Sequence, residues 1–186
     1  PGDNLYSASV VALDADSGKL RAYHQYHWND SWDWDEVSAP VLMDVKRGDR
    51  TIKGLVHPAR NGYLWLLERR AAAIAFVDAK PYVQQTAFTS IDPRTGRPTY
   101  DESKKPVTGK KVAFCPSLWG GKDWVPAAYS PKTGYLYIPA NENLCGSLVG
   151  VEQKYEPGKL WLGSEIKDIG LDVTPGTGHI GEIQEW

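Results

Sequence analysis

The sequence predicts an all-β protein that is built from repeated hairpins. The 186-residue chain contains 18 Gly, 13 Pro, 8 Trp and 10 Tyr beside a single Met. Glycine and proline favour tight turns and aromatic side chains favour strands, so this composition is typical of many short strands. The length suffices for one domain with a core. We therefore expect residues 1–186 to form a single segment.

One hairpin motif occurs three times along the chain. Each copy has an apolar strand, a turn that reads roughly Asp/Ser-x-x-Ser/Thr-Gly, and a strand that bears an aromatic residue. In the first copy, residues 9–13 and 20–26 are the predicted strands on either side of the turn. Further copies lie at 90–100 and 128–137, with a degraded copy at 56–67. Thr-Gly hairpins occur in any β protein, but three copies with matching flanks favour repetition.

The spacing of these copies favours a β-propeller with loop insertions over a tight solenoid. The clear copies are separated irregularly, by about 38 to 78 residues. A propeller typically needs four or more blades to close, and this chain has enough residues for about three or four. We therefore expect a partial ring, whose last residues, 181–186, form the first strand of another copy.

Helical signals are weak. Residues 68–77 contain good helix formers, among them three consecutive alanines. They also lie in the rhythm of the hairpins, where a turn is expected, so the prediction is a turn followed by a strand.

The charge and the apolar runs exclude several classes of partner. The net charge is -2 and no basic run occurs, so nothing favours binding to nucleic acid or to an anionic membrane. No apolar run approaches the length that spans a bilayer. The chain opens on the turn residues 1–4, without an initiator Met or a signal peptide. That start indicates a piece of a larger protein, and the missing leader says nothing about where the protein resides.

Two cysteines, Cys115 and Cys145, leave no odd thiol. They can pair or stay free, and pairing would place the protein outside the cytosol. Their surroundings fit no zinc site, because neither a CxxC motif nor a nearby His pair accompanies them.

The densest cluster of aromatic and acidic residues is Trp32-Asp33-Trp34-Asp35. On an extended backbone side chains alternate, so both carboxylates would point one way and both indoles the other. Two carboxylates on one face repel each other unless a cation lies between them or one holds a proton. A cation site at Asp33 and Asp35, on a strand anchored by the indoles, is one interpretation. The simpler alternative is a surface turn whose acids face water.

Two further clusters carry groups suited to ligand binding. Arg60 precedes an Asn-Gly turn, and its guanidinium is a rigid fork of donors for a carboxylate or quinone-like oxygens. A structural ion pair at the end of a hairpin is the simpler alternative. Gly120-Gly121 lets the backbone approach something flat, and Trp124 nearby can stack on a ligand or pack in the core. The histidines form no ligand pair or triad, and no P-loop, GxGxxG or CxxCH motif signals a nucleotide cofactor or attached haem.

The motifs and their order along the chain resemble those of the methanol/ethanol family of alcohol dehydrogenases, which depend on pyrroloquinoline quinone (PQQ). The resemblance is carried by residues 1–6, 12–19, 32–35, 60–62, 115–117, 120–124 and 139–141. It implies a partial segment of an eight-bladed quinoprotein propeller, about three to four blades, with PQQ and one metal ion on the ring axis. Family blades dock through a Trp in each motif. The first copy has Ala22 at that position with Tyr23 beside it, which weakens the docking or shifts it by one residue.

The resemblance also implies roles for single residues. Asp33 matches the catalytic base, which is also near the metal, and Arg60 matches the arginine that hydrogen-bonds the reactive quinone carbonyl. Asp123 and Trp124 fall where the family has an Asn-Trp pair that contacts the cofactor. The carboxylate at position 123 is a departure, because it would repel quinone oxygens unless it is protonated or paired, for instance with Lys122.

The metal and the disulfide follow from the same resemblance. Asp35 resembles the second Asp of the lanthanide-using branch, and a hard trivalent cation gains from one more carboxylate. Calcium remains an alternative metal, since an additional carboxylate ligand suits Ca²⁺ as well. Cys115 and Cys145 match a pair that is disulfide-linked in some relatives.

The function implied is oxidation of a primary alcohol to an aldehyde by hydride transfer to metal-bound PQQ. The implied partners are a small alcohol and a cytochrome c as electron acceptor, in the periplasm or outside the cell, with a homodimer as one assembly. The family's other metal ligands, a Glu and an Asn, belong upstream of residue 1, so we expect this segment alone to be inactive.

Two rival functions fit parts of the same pattern. A non-catalytic propeller fragment that serves as a binding or scaffold module fits the Asp at position 123 and the lost docking Trp. A propeller glycosidase fits two carboxylates two residues apart on a strand, with Cα atoms about 7 Å from each other.

Overall fold

The computed structural model describes residues 2–186, so Pro1, which opens the first motif, lies outside the described residues. The secondary structure is all-β, as predicted, apart from two short 3₁₀ helices, Glu102–Lys104 and Ile166–Asp168. The strands are β1 (Ser9–Leu13), β2 (Leu20–Gln25), β3 (Val41–Arg47), β4 (Arg50–Pro58), β5 (Tyr63–Arg70), β6 (Ala73–Pro81), β7 (Phe88–Ile91), β8 (Pro98–Tyr100), β9 (Lys111–Phe114), β10 (Ala128–Tyr129), β11 (Leu136–Ala140), β12 (Leu144–Val149), β13 (Gly170–Val173) and β14 (Glu182–Glu185). Neither helix in residues 2–186 has the length or apolar character needed to cross a bilayer.

Within residues 2–186 the strands form five antiparallel sheets. Their orders are β1-β2, β3-β4-β5-β6, β7-β8, β13-β12-β9 and β10-β11-β14. The largest is a four-stranded meander in which each strand pairs with its neighbour in the chain. Because the other sheets have two or three strands, the number of blades stays a prediction.

The three predicted hairpins are confirmed as β1-β2, β7-β8 and β10-β11. Their shared turn has a local cause, since the first side chain accepts a hydrogen bond from the backbone three residues later. Asp14 accepts from Ser17 N at 2.9 Å, Asp92 from Thr95 N at 2.8 Å, and Ser130 from Thr133 N at 3.3 Å. The glycine that follows takes a positive φ of 68°, 74° and 78° in the three copies, a conformation that glycine adopts without steric cost.

Two predictions about strands had different outcomes. The stretch 68–77 is a turn and a strand, as expected, because β5 ends at Arg70 and β6 begins at Ala73. The prediction that residues 181–186 start a further copy is wrong. These residues form β14, which pairs with β11 through Tyr137 and Glu185 and so completes the sheet of the third hairpin. An apolar alternation identifies a strand but not its partner.

The core is rich in stacked aromatic rings. Trp32 and Trp34 are fully buried and stack with ring centres 4.8 Å apart. Each such ring removes a large apolar surface from water, so the pair is a major contributor to the core. Their indole N–H groups donate to the carbonyls of Lys104 and Ser117, both at 2.8 Å. The segment that carries Asp33 is thereby fixed to two distant parts of the chain.

The position at which the resemblance implies a blade-docking Trp is filled differently in the first two hairpins. Tyr23 is 43% exposed and packs edge-on against Tyr6, so a shift by one residue does not restore a buried anchor. In the second hairpin the position is occupied by Tyr100, which is buried and stacks on Trp28 with ring centres 4.5 Å apart.

Candidate functional site

The loop between β2 and β3 carries the predicted cation site. Its backbone is not an extended strand, which corrects the expected geometry, since Asp33 has a φ of 66°. Aspartate tolerates this left-handed conformation better than most residues. The loop instead wraps around the carboxylate of Asp30, which accepts from Trp32 N at 3.0 Å and from Trp34 N at 2.8 Å.

The side chains of this loop are nevertheless sorted as predicted. Trp32 and Trp34 are fully buried, whereas Asp33 and Asp35 are exposed. The alternation in burial therefore comes from a turn, as in the simpler alternative, and the indoles anchor that turn in the core.

Arg60 lies at the centre of the site. Its side chain is buried, and its Nη1 is 3.8 Å from Oδ1 of Asp123 and 3.5 Å from the carbonyl oxygen of Asp35. Its Nη2 donates to the carbonyl of Leu118, while its Nε is buried without a hydrogen-bond partner. One guanidinium thus joins the loop of Asp33 and Asp35 to the loop of Asp123.

The charges around Asp33 are close enough to act on one another. Loss of hydration raises the pKa of Asp33, the Arg60 guanidinium lowers it, and the carboxylates of Asp35, Asp30 and Asp123 raise it, with a net shift upward. Burial also acts to raise the pKa of Asp30, but hydrogen bonds from His27 and from the loop backbone outweigh it. The carboxylate of Asp33 therefore senses one guanidinium and three further carboxylates.

Asp123 and Lys122 have other partners than the sequence suggested. Asp123 has its carboxylate nearest to Arg60, which corrects the suggested pairing with Lys122. Lys122 is fully buried and donates from Nζ to Ser38 Oγ and to the backbone carbonyl of Asp123 at 2.9 Å. Trp124 is 78% exposed, so it is not a core residue and its indole faces outward.

The Gly120-Gly121 pair packs against the protein itself. A Cβ at Gly120 would lie 2.5 Å from the carbonyl oxygen of Arg60, and a Cβ at Gly121 would lie 2.6 Å from the Tyr82 hydroxyl. The amide of Gly121 donates to the carbonyl of Arg60 at 2.9 Å. The close approach expected toward a flat ligand is therefore made toward the backbone of Arg60, which it holds in place.

A disulfide joins Cys115 and Cys145, which are 30 residues apart in sequence with Cα atoms 4.4 Å apart. The implied pairing is confirmed. The bond ties the start of the 115–124 loop to β12, and the amide of Ser117 donates to the carbonyl of Leu144 beside it. The loop that carries Asp123 and Trp124 is thereby cross-linked to the sheet.

Sequence reasoning missed a buried hydrogen-bonded pair of side chains next to the site. His57 Nε2 and Glu36 Oε2 are 2.6 Å apart, and both side chains are buried. Glu36 follows Asp35 directly, and His57 lies three residues before Arg60. No spacing in the sequence connects positions 36 and 57, because the contact is made by two different elements.

A cavity of about 250 Å³ beside Asp33 was also missed. It is lined by Asp30, Ser31, Asp33, Leu118, Leu148, Leu162, Ser164 and Ile169. Its wall is polar at the loop of Asp33 and mostly apolar elsewhere. The lining comes from four separate stretches of chain, which explains why no motif indicated it.

The residues fit part of a cation site. The carboxylates that act on Asp33 outnumber the one guanidinium that does, and carboxylate oxygen is the ligand that hard cations prefer. The buried oxygen Oδ1 of Asp123 has no hydrogen-bond partner. Among residues 2–186, no three His, Cys, Asp or Glu side chains are arranged to hold a metal ion by themselves. Asp33 and Asp35 would therefore supply only some of the ligands.

The fold and this arrangement have counterparts among known proteins. A family model described as the β-propeller domain of PQQ-dependent glucose/ethanol/alcohol dehydrogenases matches residues 1–86. The lanthanide-dependent methanol dehydrogenase of Methylacidiphilum fumariolicum is 36% identical over 167 residues, 89% of this chain and 27% of that protein. The quinoprotein ethanol dehydrogenase of Pseudomonas aeruginosa is 36% identical over 148 residues, 75% of this chain and 23% of that protein.

A solved structure agrees closely with the whole segment. A europium-containing methanol dehydrogenase superposes with a TM-score of 0.89 at 32% identity, over 99% of this chain and 31% of that chain. The quinohemoprotein alcohol dehydrogenase of Comamonas testosteroni superposes with a TM-score of 0.79 at 26% identity.

These similarities define the class of the molecule as an all-β segment of a quinoprotein β-propeller. The chain belongs to the family of PQQ-dependent alcohol and methanol dehydrogenases. It spans about a fifth to a quarter of the length of the curated relatives it matches, between 18% and 27%.

Proposed function

We propose that this chain contributes the catalytic loop of an enzyme that oxidises a primary alcohol to an aldehyde by hydride transfer to PQQ. The observation that carries this proposal is that the guanidinium of Arg60 lies between the loop of Asp33 and Asp35 and the loop of Asp123, which are far apart in sequence. The family to which the chain belongs supports the reaction class. When bound, PQQ accepts the hydride and a metal ion polarises its carbonyl as a Lewis acid.

Asp33 is the proposed general base. An ionised carboxylate there takes the hydroxyl proton of the alcohol as the hydride leaves the adjacent carbon. Its exposed side chain can reach a substrate, while the buried indoles on either side keep its backbone fixed. Such positioning matters because small displacements of a catalytic group cost large factors in rate.

Arg60 is the proposed donor to the cofactor oxygen at which negative charge develops. Its guanidinium already holds the carbonyl of Leu118 and lies near Asp35 and Asp123, so its orientation is set before a ligand arrives. Asp123 departs from the family's Asn, and its proximity to Arg60 offsets part of its charge. Trp124, with its outward indole, is the proposed stacking contact for the cofactor.

Asp33 and Asp35 are the proposed metal ligands of this segment, and we propose a lanthanide ion ahead of calcium. The extra carboxylate of Asp35 favours a trivalent cation over a divalent one. In the full-length enzyme, Asp35→Ala should reduce lanthanide-dependent alcohol oxidation more than calcium-dependent oxidation. Equal losses with both metals would contradict the lanthanide assignment.

The setting of the enzyme is part of the proposal. A periplasmic or secreted location agrees with the disulfide between Cys115 and Cys145, because such bonds persist in oxidising compartments. A cytochrome c is the proposed electron acceptor, and a homodimer is one assembly to test. Since the described residues offer only part of a metal site, we propose that the segment alone is inactive.

The decisive experiment is Asp33→Asn in the full-length enzyme loaded with PQQ and metal. The amide cannot accept the proton, so kcat for a primary alcohol should fall by about 10³-fold. Reduction of an artificial electron acceptor gives the rate. Asp16→Asn, which removes an exposed carboxylate in a turn far from Arg60 in sequence, is the matched control. Near-normal turnover by Asp33→Asn would remove Asp33 from the role of base.

A further inference from the structure

One buried hydrogen bond links the stretch around Asp35 to the stretch around Arg60. The Nε2 atom of His57 lies 2.6 Å from Oε2 of Glu36, and the two side chains are 1% and 7% exposed. Glu36 directly follows Asp35, and His57 lies on β4, three residues before Arg60. The bond therefore connects the segment that presents a proposed metal ligand to the segment that presents the proposed donor to the cofactor.

The direct contact between these two segments is longer. Nη1 of Arg60 lies 3.5 Å from the carbonyl oxygen of Asp35, at the outer limit of a hydrogen bond. A contact of that length restrains the spacing weakly, whereas a short bond between two buried groups restrains it tightly. The position of Asp35 relative to Arg60 is therefore set mainly by the pair of Glu36 and His57.

His57 is itself held from two sides. Its backbone belongs to the ladder between β4 and β5, where it pairs with Trp65. Its ring stacks on Tyr26, with ring centres 4.7 Å apart and planes inclined by 26°. Both partners are buried, so the imidazole is a fixed point to which the loop of Asp35 is attached through Glu36.

The loop has space to move if this attachment is lost. A cavity of about 160 Å³ lies beside the pair, and its lining includes Tyr26, Glu36 and His57. Within the described residues, Oε1 of Glu36 and the hydroxyl of Tyr26 are buried without a hydrogen-bond partner. A side chain at position 36 that is released from His57 can therefore shift, and the neighbouring Asp35 shifts with it.

The chain offers a matched comparison in His24. This histidine is also buried, and it lies edge-on against Tyr26 with ring centres 5.6 Å apart. Among residues 2–186, however, nothing forms a hydrogen bond with Nε2 of His24, whereas Nε2 of His57 is bonded to Glu36. The two histidines thus share burial and aromatic packing, and they differ in the bond to the loop.

We propose that His57 is a positioning residue that sets the distance between Asp35 and Arg60 through Glu36. The inference rests on the proposed function, because it takes Asp35 as a metal ligand and Arg60 as the donor to the cofactor. Removing a residue that holds a metal ligand in place typically lowers metal affinity or activity by about 10- to 100-fold. The same factor is expected here.

The first test measures metal binding and needs no turnover. The full-length protein, prepared without metal, is titrated with Tb³⁺, and the luminescence of the bound ion gives Kd. His57→Leu should raise this Kd by about 10- to 100-fold, because Asp35 is no longer held in place. His57→Gln, whose side-chain amide can donate to Glu36, should restore it to within about threefold. His24→Leu should leave it unchanged.

A double variant separates positioning from stability. His57→Leu alone leaves a buried carboxylate without its partner, which costs stability by itself. Glu36→Leu combined with His57→Leu removes both polar groups, so the protein should unfold at nearly the original urea concentration. Its Kd for Tb³⁺ should nevertheless rise as in His57→Leu. A double variant of normal stability that binds Tb³⁺ normally would overturn the inference.

The kinetic test uses the full-length enzyme loaded with PQQ and a saturating concentration of the metal. His57→Leu should lower kcat for ethanol by about 10- to 100-fold, because a small displacement of the reacting groups slows the reaction by such factors. KM should stay within about threefold, since His57 makes no contact with the alcohol. His24→Leu should change neither constant.

The two measurements distinguish this inference from the proposed function. A normal Kd and a normal kcat in His57→Leu would overturn the role of His57 and leave the alcohol oxidation intact. Weaker Tb³⁺ binding by His57→Leu, in a full-length protein that oxidises no alcohol, would refute the proposed function and support the positioning role.

Discussion

The first two hairpins of the chain have the same turn in different surroundings. In β1-β2, Asp14 caps the turn and Gly18 takes the positive φ, and in β7-β8 Asp92 and Gly96 do the same. A Cβ at Gly18 would meet no atom within 4 Å. At Gly96 it would lie 2.5 Å from the ring of Phe76. One motif therefore forms an open turn in the first hairpin and a packed one in the second.

The strands that follow the two turns also differ in packing, and again the second hairpin is the more tightly packed. The first hairpin has Ala22 at the docking position, whereas the second has Tyr100, whose hydroxyl accepts from the amide of Trp28 at 2.8 Å and bonds its carbonyl as well. Tyr100 also lies edge-on against Trp32, with ring centres 5.1 Å apart. The turn is encoded locally, but the second hairpin also supports the loop that carries Asp33.

The largest expected effect tests that support directly. Tyr100→Ala should lower the free energy of unfolding by about 3–5 kcal/mol, because it removes a buried ring and leaves backbone groups of Trp28 without a partner. Tyr23→Ala, at the corresponding region of the first hairpin, removes a ring that is 43% exposed and should cost much less. Urea denaturation of both variants measures the difference. Equal losses would show that the two hairpins are docked to the same degree.

The packing of the first hairpin against β6 should make stability depend on pH. His24 of β2 lies against Phe76 with ring centres 6.2 Å apart, and its Nε2 is buried without a partner. Burial lowers the pKa of His24 to about 4, below its ordinary value of 6.5. The unfolded chain therefore binds a proton more readily between these pH values, so stability is full above pH 6.5 and falls as pH decreases toward 4.

The effect of this single histidine should reach about 3 kcal/mol at the acid end of that range. His24→Leu keeps an apolar side chain of similar volume and should flatten the pH dependence of the unfolding free energy. His179→Gln, which removes an exposed imidazole, is the control. A His24→Leu protein with the original slope between pH 4 and 6.5 would contradict this account.

The two turn glycines offer a matched pair of substitutions. Gly18→Ala should cost about 1–2 kcal/mol, the strain of a Cβ at a positive φ. Gly96→Ala carries the same strain and also presses a methyl group onto Phe76 and His24, which should add about 1–3 kcal/mol. Thermal denaturation followed by circular dichroism compares the two. Similar losses would mean that Phe76 moves away at little cost.

The same contrast explains which features the sequence could reveal. The hairpins and their turns were predictable because an Asp, a Thr or Ser and a Gly at fixed spacing determine a turn without help from the rest of the chain. The roles of Asp33 and Arg60 were suggested only by resemblance to a family. Their convergence is visible in the fold alone, since it depends on loops 25 or more residues apart in the chain.

The missed and mistaken features share one cause. The pair of Glu36 and His57, the cavity wall at Leu162 and the pairing of β14 with β11 all depend on which elements become neighbours. Alternation along Trp32 to Asp35 predicts a strand, but burial on one side and exposure on the other look the same in a turn wrapped around the partly buried carboxylate of Asp30. Local patterns fix local conformation, and long-range partners remain undetermined by them.

The smallest expected effect concerns the first residue of the turn. The third hairpin has Ser130 where the second has Asp92, and its hydroxyl accepts from Thr133 N just as the carboxylate accepts from Thr95 N. Asp92→Ser should therefore shift the midpoint of thermal unfolding at pH 7 by no more than about 2 °C.

The same substitution should change the acid side of the stability curve. Hydrogen bonds from Thr95 and Arg94 lower the pKa of Asp92, so its contribution is present above the ordinary pKa of an aspartate and is lost as pH falls through the lowered value. Asp92→Ser lacks that loss, so its stability relative to the unsubstituted protein should rise as the pH decreases below 4. A constant difference between the two proteins from pH 7 to pH 2 would show that the turn is held by the glycine and the strand pairing rather than by the carboxylate.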